Sequence, residues 1–519
     1  MDLNSAFKPG AEGMYNMGKG CCRGPFKMHR NLQTSGIAPP LSSLKRIMES
    51  LQRSGRLNLP DLFEKIQEWC IVSAVARAEK ENTEQRECVY MNNRYIVTDC
   101  GIVPGSAESQ TGLIQNLIDR CKESGGGTIV FPAGSYVSGT LVLCSNLTLE
   151  FELNAVLYGS AEEKDYPHYD PSPIPFYEGR DGIRSLLFAL NEKNITLKGE
   201  GMIDGRSALY PPHEVTVHRT KPRVIWFGNC ENVEVAGLTM QNSVFWMQHY
   251  IKCRHVKIHD LIVRSHGCHN NDGVDIDSCH DVEIRNCRID SGDDGICLKT
   301  DTDTVCSDIH VHDCIVSSHC AAFKLGTETN KGFRNILAER LLIVPSERQP
   351  MLEGEDYRAA AALGIGAVDG AFVDGVTIRD VKIFGSRMPL YMRWGDRRRG
   401  VLGEVGGGSA PSYFRNVLLE DVHAYNAGVQ GSYICGMEGF AMENIVLRNC
   451  SFEVNECAEP CWKDREVTEE AHPFPSTFTF GNDPFPALLF VRHVKGFLLE
   501  NVKFRKHPED QRKECIYSL

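Results

Sequence analysis

Residues 270–300 read NNDGVDIDSCHDVEIRNCRIDSGDDGICLKT and contain the same short phrase twice. Asp272-Gly273-Val274 is followed 22 residues later by Asp294-Gly295-Ile296, and the second copy carries an extra carboxylate, Asp293. If successive turns of chain stack as strands ~4.8 Å apart, the three carboxylates share one patch. Crowded carboxylates raise one another's pKa. The stretch therefore predicts an acid held beside an ionised base.

An alternating phrase of apolar and polar residues recurs ten times along the chain. Its second and fourth residues are usually Val, Ile or Leu. The second residues of five successive copies follow one another at intervals of 23, 26, 27 and 27 residues; they are Val233, Val256, Val282, Ile309 and Ile336. Such a period indicates a solenoid. Because no helical pattern separates the strands, it predicts an all-β parallel β-helix. The copies lie at 194–203, 232–240, 255–263, 281–289, 308–316, 335–343, 375–383, 416–424, 444–452 and 496–504.

The composition of the chain limits the classes of partner and cofactor that we expect. The chain has 519 residues and a net charge of -12, which argues against nucleic acid or an anionic membrane surface as a partner. No run of 18 apolar residues is present, so no transmembrane helix is predicted. No zinc-binding spacing of Cys or His is found either, and we expect neither a metal nor another cofactor.

The 21 cysteines follow the repeat. Four of them precede the first apolar strand residue of a coil by three positions, which predicts a ladder of small buried thiols. Because the N-terminus lacks the pattern of a signal peptide, we expect a cytoplasmic protein without disulfide bonds. These four are Cys230, Cys253, Cys279 and Cys306.

The chain divides into residues 1–85 and a β-helix over 86–519. Residues 1–40 read as an irregular leader, and helical spacing then predicts about two helices before residue 85. These helices are expected to pack on the main domain or on a second subunit, which leaves a homo-oligomer open. A further amphipathic helix around Leu113 to Cys121 is expected to cap the first coil.

Several phrases resemble glycoside hydrolase family 28, the polygalacturonase-like right-handed parallel β-helices, and within it the bacterial exo-acting branch. The resemblance runs from about Tyr95 to the C-terminus. The phrases are 125–139 (GGGTIVFPAGSYVSG), 203–205 (IDG), 242–249 (NSVFWMQH), 270–276 (NNDGVDI), 291–299 (SGDDGICLK) and 492–494 (RHV).

The resemblance implies inverting hydrolysis of α-linked galacturonic acid or a related pectic sugar in an oligosaccharide. Asp293 would then protonate the leaving oxygen, while Asp272 and Asp294 hold and activate the water. An inverting site needs ~6.5 to 9.5 Å between acid and base. Taken alone, each Asp-Gly pair is also typical of a tight turn.

Two of the family's polar motifs are altered. The histidine of its G-H-G motif is replaced by Ala321, with His319 two residues away, and its R-I-K motif is reduced to 392–394 (MRW). Arg393 is the candidate for binding a sugar carboxylate, because a guanidinium can donate two parallel hydrogen bonds to that group. A pairing of Arg393 with Asp396, or a solvated loop charge, is the alternative.

The remaining candidate contacts with the sugar come from neighbouring coils. Lys299 and Lys324 are expected near the groove, and Lys324 is expected to meet either an anionic substrate or Asp275. Trp246 is a candidate for stacking on a sugar face or for the core. The same motifs contribute His249 and Asn271.

Two further function classes stay open. One is a carbohydrate-binding β-helix that has lost hydrolysis together with the histidine, because a fold does not determine a function. The other is a polysaccharide lyase or epimerase, which needs a base for a C5 proton. Inserted loops at 166–184 and 397–413 are expected to close one end of the groove and favour exo action.

Overall fold

The computed structural model describes residues 93–519, apart from 173, 177–178, 180–181, 211–220, 349–355, 402–403, 405–406, 470–476 and 478. The predicted leader, its two helices and the boundary at residue 86 lie outside these residues.

Parallel strands build the described part of the chain, in two sheets. The smaller sheet has 12 strands and carries the acid stretch on its outer side. Its strands are β4 (Leu141–Val142), β7 (Ser185–Leu190), β10 (Arg223–Gly228), β13 (Gln248–Ile251), β16 (Val274–Asp277), β19 (Ile296–Thr300), β21 (Ala321–Thr329), β23 (Ala359–Ala367), β25 (Ser386–Trp394), β27 (Ser432–Cys435), β30 (Ala487–Arg492) and β33 (Lys513–Ser518).

The larger sheet has 21 strands and forms the other sides of the solenoid. They are β1 (Arg94–Ile96), β2 (Gly127–Phe131), β3 (Gly134–Ser138), β5 (Leu147–Phe151), β6 (Ala155–Gly159), β8 (Lys193–Gly199), β9 (Met202–Asp204), β11 (Glu231–Ala236), β12 (Thr239–Gln241), β14 (Arg254–His259), β15 (Ile262–Ser265), β17 (His280–Arg285), β18 (Arg288–Ser291), β20 (Cys306–Ser318), β22 (Gly332–Ile343), β24 (Phe372–Phe384), β26 (Phe414–Ala427), β28 (Met442–Arg448), β29 (Ser451–Val454), β31 (Val494–Glu500) and β32 (Lys503–Lys506).

Each coil contributes one strand to the smaller sheet and two, or one long bent strand, to the larger. Strands β17 and β18 both pair with β20, and β28 and β29 both pair with β26. Every inter-strand ladder is parallel, with Val233 opposite Val256 and Val256 opposite Val282 as the repeat predicts. The predicted parallel β-helix is confirmed.

A corner of left-handed backbone opens every copy of the repeat. All ten first residues have φ between 53° and 78°. Asn and Asp tolerate this conformation better than other non-glycine residues, and glycine adopts it freely. The corner residues are Asn194, Asn232, His255, Asp281, Asp308, Asn335, Gly375, Asn416, Asn444 and Gly496.

The inner side chains form one continuous apolar core. The four predicted ladder cysteines are buried there, and the Cys253 Sγ lies 3.4 Å from the backbone nitrogen of Cys230. Sixteen cysteines of the described segments are free thiols, which confirms the packing role. Cys100 is disulfide-bonded, so the prediction of a chain without disulfides is wrong at this residue.

One α-helix, α1 (Thr111–Glu123), is present in the described segments, where sequence predicts the cap. It buries Ile114, Leu117 and Ile118 against the first coil. Short 3-10 segments occupy Val97–Cys100, Glu163–Asp165, Ser207–Leu209 and Pro460–Asp464. Within the described residues, no helix has the length and hydropathy needed to cross a membrane.

Candidate active site

Asp272 and Asp294 stack on adjacent coils, immediately before strands β16 and β19. The Gly273 N–H donates to the Asp294 carbonyl oxygen at 2.9 Å. A Cβ on Gly273 would lie 2.6 Å from the Gly295 carbonyl oxygen, so only glycine lets these coils approach each other here. The repeated Asp-Gly phrase therefore places two carboxylates one strand apart, as predicted.

Asp293 lies beside this pair and is the partly exposed member of the three. Its Oδ1 accepts from the Asp294 N–H at 2.9 Å, and its Oδ2 faces the Asn270 amide at 3.4 Å. Desolvation and the Asp294 charge raise the pKa of Asp293. A partly exposed carboxyl with a raised pKa is suited to general-acid catalysis.

Asp294 is held by two donors from the next coil. The Lys324 Nζ lies 2.6 Å from its Oδ2, and the Ala321 N–H donates to its Oδ1 at 3.1 Å. Lys324 is buried, so its ammonium needs a carboxylate partner. The expected pairing of Lys324 with Asp275 is wrong; the register places Lys324 opposite Cys297 and within reach of Asp294 instead.

Asp275 is a fourth carboxylate of the cluster that we did not select from the sequence. Carboxylate and thiol atoms of Asp272, Asp275 and Cys297 lie within 4.8 Å of one another. Burial raises the pKa of Asp272 well above its usual range and that of Asp275 to about 8. The signal was present in DGVDID, because Asp275 lies between the core residues Val274 and Ile276 and alternation turns it to the outer side of the strand.

Lys299 is buried beside the carboxylate cluster and is not part of the exposed groove surface. Its Nζ lies 3.5 Å from the Asp275 Oδ1, 3.0 Å from the Glu328 Oε2 and 4.6 Å from the centre of the Trp246 ring. Arg399, from the loop after β25, binds the other Glu328 oxygen at 2.5 Å. Glu328, in strand β21, and Arg399 were also missed in the sequence, and only the inserted loop brings Arg399 here.

Trp246 and His249 are packed side chains. Trp246 stacks on Phe245 with ring centres 5.2 Å apart and is 5% exposed. His249 is fully buried between Trp246 and Phe176, and burial lowers its pKa to about 4. Their direct contact with a sugar stays a prediction, and the structure places them behind Lys299 and Asp275.

Asn271 and Arg393 are buried with unused hydrogen-bonding groups. Neither amide atom of Asn271 has a partner in the described segments, and the side chain lies against Gly292. Arg393 lies three strands further along the smaller sheet, where its Nη1 donates to the Gly436 carbonyl oxygen. Its expected alternative partner, Asp396, is bound by Arg398, so that pairing is wrong.

No histidine of the described segments replaces the missing family histidine at Asp294. His319 lies at the corner, where its Nε2 faces the Arg348 carbonyl oxygen at 3.1 Å and its ring packs on His266. Ala321 presents only its backbone N–H to the carboxylate. Lys324 thus supplies the side-chain cation that contacts Asp294.

Comparisons with known proteins match the part of the chain that contains the acid cluster. The family model described as "Glycosyl hydrolases family 28" matches residues 121–319, which include all four carboxylates. A probable polygalacturonase of Vitis vinifera is 29% identical over 307 residues, covering 55% of this chain and 61% of that protein. An exo-poly-alpha-D-galacturonosidase of Dickeya chrysanthemi is 23% identical over 326 residues, covering 52% and 53%. The chain thus spans roughly half to three-fifths of the length of these relatives.

Solved structures support the fold. A Thermotoga maritima exopolygalacturonase superposes with a TM-score of 0.59 and 17% identity, covering 82% of this chain and 96% of the other. A Yersinia enterocolitica family 28 exopolygalacturonase superposes with a TM-score of 0.58 and 18% identity, covering 82% and 80%. With its parallel β-helix and its stacked Asp-Gly phrases, the chain is similar to glycoside hydrolase family 28 over residues 121–319, the part that the family model matches.

Proposed function

We propose that this protein is a polygalacturonase-like glycosidase that cleaves α-glycosidic bonds of pectic or related uronic acid-containing oligosaccharides, from chain ends and with inversion. The observation that carries the proposal is the stacking of Asp272 on Asp294 with the partly exposed Asp293 beside them. The names of the Vitis vinifera and Dickeya chrysanthemi relatives support the pectic substrate.

In the proposed reaction, Asp293 gives its proton to the glycosidic oxygen as the bond to the anomeric carbon breaks. A water held by Asp294 and Asp272 attacks that carbon from the opposite face and loses a proton to a carboxylate. Exchange with solvent then returns the proton to Asp293. The raised pKa of Asp293 supports its role as the acid.

Lys324 is a positioning residue in this scheme. Its ammonium fixes the Asp294 Oδ2 at 2.6 Å, while the Ala321 N–H fixes Oδ1 at 3.1 Å. With both oxygens held, the carboxylate has one orientation toward the water. The lysine therefore contacts Asp294 from the coil where the resemblance expects the family's histidine.

Exo action is supported by two loops that pack on the outer side of the smaller sheet. Phe176, from the loop between β6 and β7, stacks on Trp226 and packs on His249. Arg397, from the loop after β25, binds Asp369 at 2.5 Å. The loops thus lie on opposite sides of the acid cluster along the solenoid, and a groove bounded in this way favours the ends of short chains.

The buried arginine at 393 supports an acidic substrate. Its Nε and Nη2 lack hydrogen-bond partners in the described segments, so a sugar carboxylate would satisfy donors that otherwise cost free energy. We also propose that the reaction takes place in the cytoplasm on short imported fragments, because free thiols predominate among the described cysteines.

The test is a panel of acidic oligosaccharides of defined length, followed by anomeric proton NMR during the first turnovers. We expect single sugars released from one chain end with inverted configuration. Random internal products would overturn exo action, and retained configuration would overturn the water-activating role of Asp272 and Asp294. Products with a 4,5-double bond would identify a lyase. Binding to the panel without any product would identify a binding module, which loss of the histidine would explain.

A further inference from the structure

A histidine pair stands on the outer side of the larger sheet, in strand β20. His310 and His312 are two residues apart, so both side chains point out of the same side of the strand. Their ring centres are 4.2 Å apart. Glu283, on the neighbouring strand β17, is opposite His310 in the register. One ligand atom from each of the three side chains lies within 4.8 Å of the other two.

His312 has a carboxylate oxygen near each of its two ring nitrogens, and a neutral ring carries a proton on only one of them. Its Nδ1 is 2.6 Å from the Asp313 Oδ2, the length of a strong charge-assisted bond. Its Nε2 is 3.4 Å from the Glu283 Oε1. A neutral imidazole has a single N–H, so when Nδ1 donates to Asp313, the Nε2 lone pair faces a carboxylate oxygen. A cation between these two atoms removes that repulsion.

The distance suits a bound metal ion. Nitrogen and oxygen ligands about 2.0 to 2.1 Å from a tetrahedral Zn²⁺ lie roughly 3.4 Å from one another. Imidazole nitrogen is a good ligand for Zn²⁺ and Ni²⁺, and one carboxylate completes a three-ligand set with an open position.

Carboxylates also orient both rings from outside the ligand set. Asp313 holds the Nδ1 of His312, and Glu339 accepts from the Nε2 of His310 at 3.1 Å, which leaves the Nδ1 of His310 for a ligand bond. Arg340 binds Asp313 through two bonds of 2.8 and 2.9 Å. This carboxylate–histidine arrangement is typical of metal sites.

The surrounding arginines pair with carboxylate oxygens other than the Glu283 Oε1 that faces His312. Arg340 and Arg379 also bind Glu339, at 2.5 Å and 2.6 Å. Arg285 lies 3.5 Å from the Glu283 Oε2, the oxygen that does not face His312. We propose that Glu283, His310 and His312 form a binding site for one transition-metal dication, Zn²⁺ or Ni²⁺, that links the coils of β17 and β20.

The experiment is calorimetric titration of the full chain with ZnCl₂ and, separately, NiCl₂. Three other groups of His, Cys, Asp and Glu side chains in the described segments have ligand atoms close enough together to take up a metal ion, so the result is the difference between variants. We expect the His310→Ala/His312→Ala variant to bind one ion fewer per chain than the unchanged protein. Asp313→Asn should weaken the binding of that ion about 10- to 100-fold, the usual effect of losing such an orienting carboxylate.

His259→Ala is the matched control. His259 has the same local bonds, to Asp260 at 2.6 Å and to Glu234 at 3.2 Å, but no second histidine belongs to its set. This variant should bind like the unchanged protein. Equal stoichiometry and affinity in the double variant would overturn the site.

If the double variant does not fold, the unchanged protein still decides the question. Electron paramagnetic resonance with one equivalent of Cu²⁺ should show two coordinated nitrogens, and Glu283→Gln should alter the spectrum. A spectrum without nitrogen coupling would overturn the proposal.

Discussion

Asp293 differs from the other carboxylates of the cluster in its surroundings. It is partly exposed, whereas Asp272, Asp275 and Asp294 are buried. Asp294 has Lys324 at 2.6 Å and Asp275 has Lys299 at 3.5 Å, while Asp272 lies beside Asp275 and the Cys297 thiol. Pairs of carboxylates with unlike surroundings are the arrangement from which acid and base roles arise.

Asp293→Asn should reduce turnover by a factor of ~10² to 10⁴, the usual contribution of a positioned proton donor. The amide cannot protonate the leaving oxygen, and its similar size leaves the coil intact. The measurement is turnover on the best oligosaccharide of the panel. Asp281→Asn, at an exposed corner of the same coil, is the control and should keep full activity. Full activity in Asp293→Asn would remove the assignment.

Lys324→Met should lower both turnover and stability, because it leaves the buried Asp294 carboxylate without its cation. Breaking a buried ion pair from one side costs about 3 to 5 kcal/mol. The double variant Lys324→Met/Asp294→Asn removes both charges and should regain much of the stability but no activity. Thermal unfolding and turnover measured together separate these effects. A Lys324→Met variant as active as the unchanged protein would contradict the positioning role.

Asp275 makes stability depend on pH. Burial raises its pKa to about 8 in the folded chain, above the value of about 4 in an unfolded chain. Between these values the folded state binds a proton that the unfolded state has released, so stability falls as pH rises. His249, whose pKa is lowered to about 4, opposes this trend only below pH ~6.5.

Melting temperature measured from pH 6.5 to 8 should therefore decline, and Asp275→Asn should decline less steeply over the same range. Leu153→Ala, at an exposed residue without a titratable group, serves as the control and should keep the slope of the unchanged protein. Identical slopes in Asp275→Asn and the unchanged protein would show that Asp275 does not hold its proton.

Coils are joined at the corners by side chains as well as by the backbone. Asn232 donates to the Asn194 Oδ1 at 2.9 Å, and Asn444 donates to the Asn416 Oδ1 at 3.1 Å, each across one coil. These residues also hold the left-handed backbone that turns the chain into the next strand. A ladder of this kind sets the register of the solenoid, because a slip would break both features at once.

Asn232→Val should destabilise the protein by about 1 to 2 kcal/mol, since a β-branched residue is strained at φ 57°. Asn232→Gly should cost less, because glycine adopts this backbone freely and only the side-chain bond is lost. Thermal or denaturant unfolding of the two variants gives the comparison. If valine and glycine cost the same, the corner backbone is not what asparagine provides.

In the described part of the chain, stacked strands enclose one long apolar core, and thiols line part of it. Of the described cysteines, sixteen are free and Cys100 is bonded. Most of these thiols are buried, so reagents reach them only after unfolding.

Alkylation of the unfolded, unreduced protein followed by peptide mass mapping should therefore label all sixteen and leave Cys100 unlabelled. The native protein should label chiefly at the exposed Cys457 and Cys461. Disulfides among the ladder cysteines would contradict both the packing role of those thiols and the proposed cytoplasmic location.

The sequence by itself determined that the chain folds into stacked coils of parallel strands. The period of the repeat, the Asn or Asp at most corners and the Asp-Gly phrases are local requirements of stacked strands, and they also placed Asp272, Asp293 and Asp294 together. Only the tertiary structure decided which groups surround these acids. Lys324 reaches Asp294 and not Asp275, and Arg399 reaches Glu328, because strand register and inserted loops set contacts between residues tens of positions apart in sequence. A local pattern carries no information about such contacts.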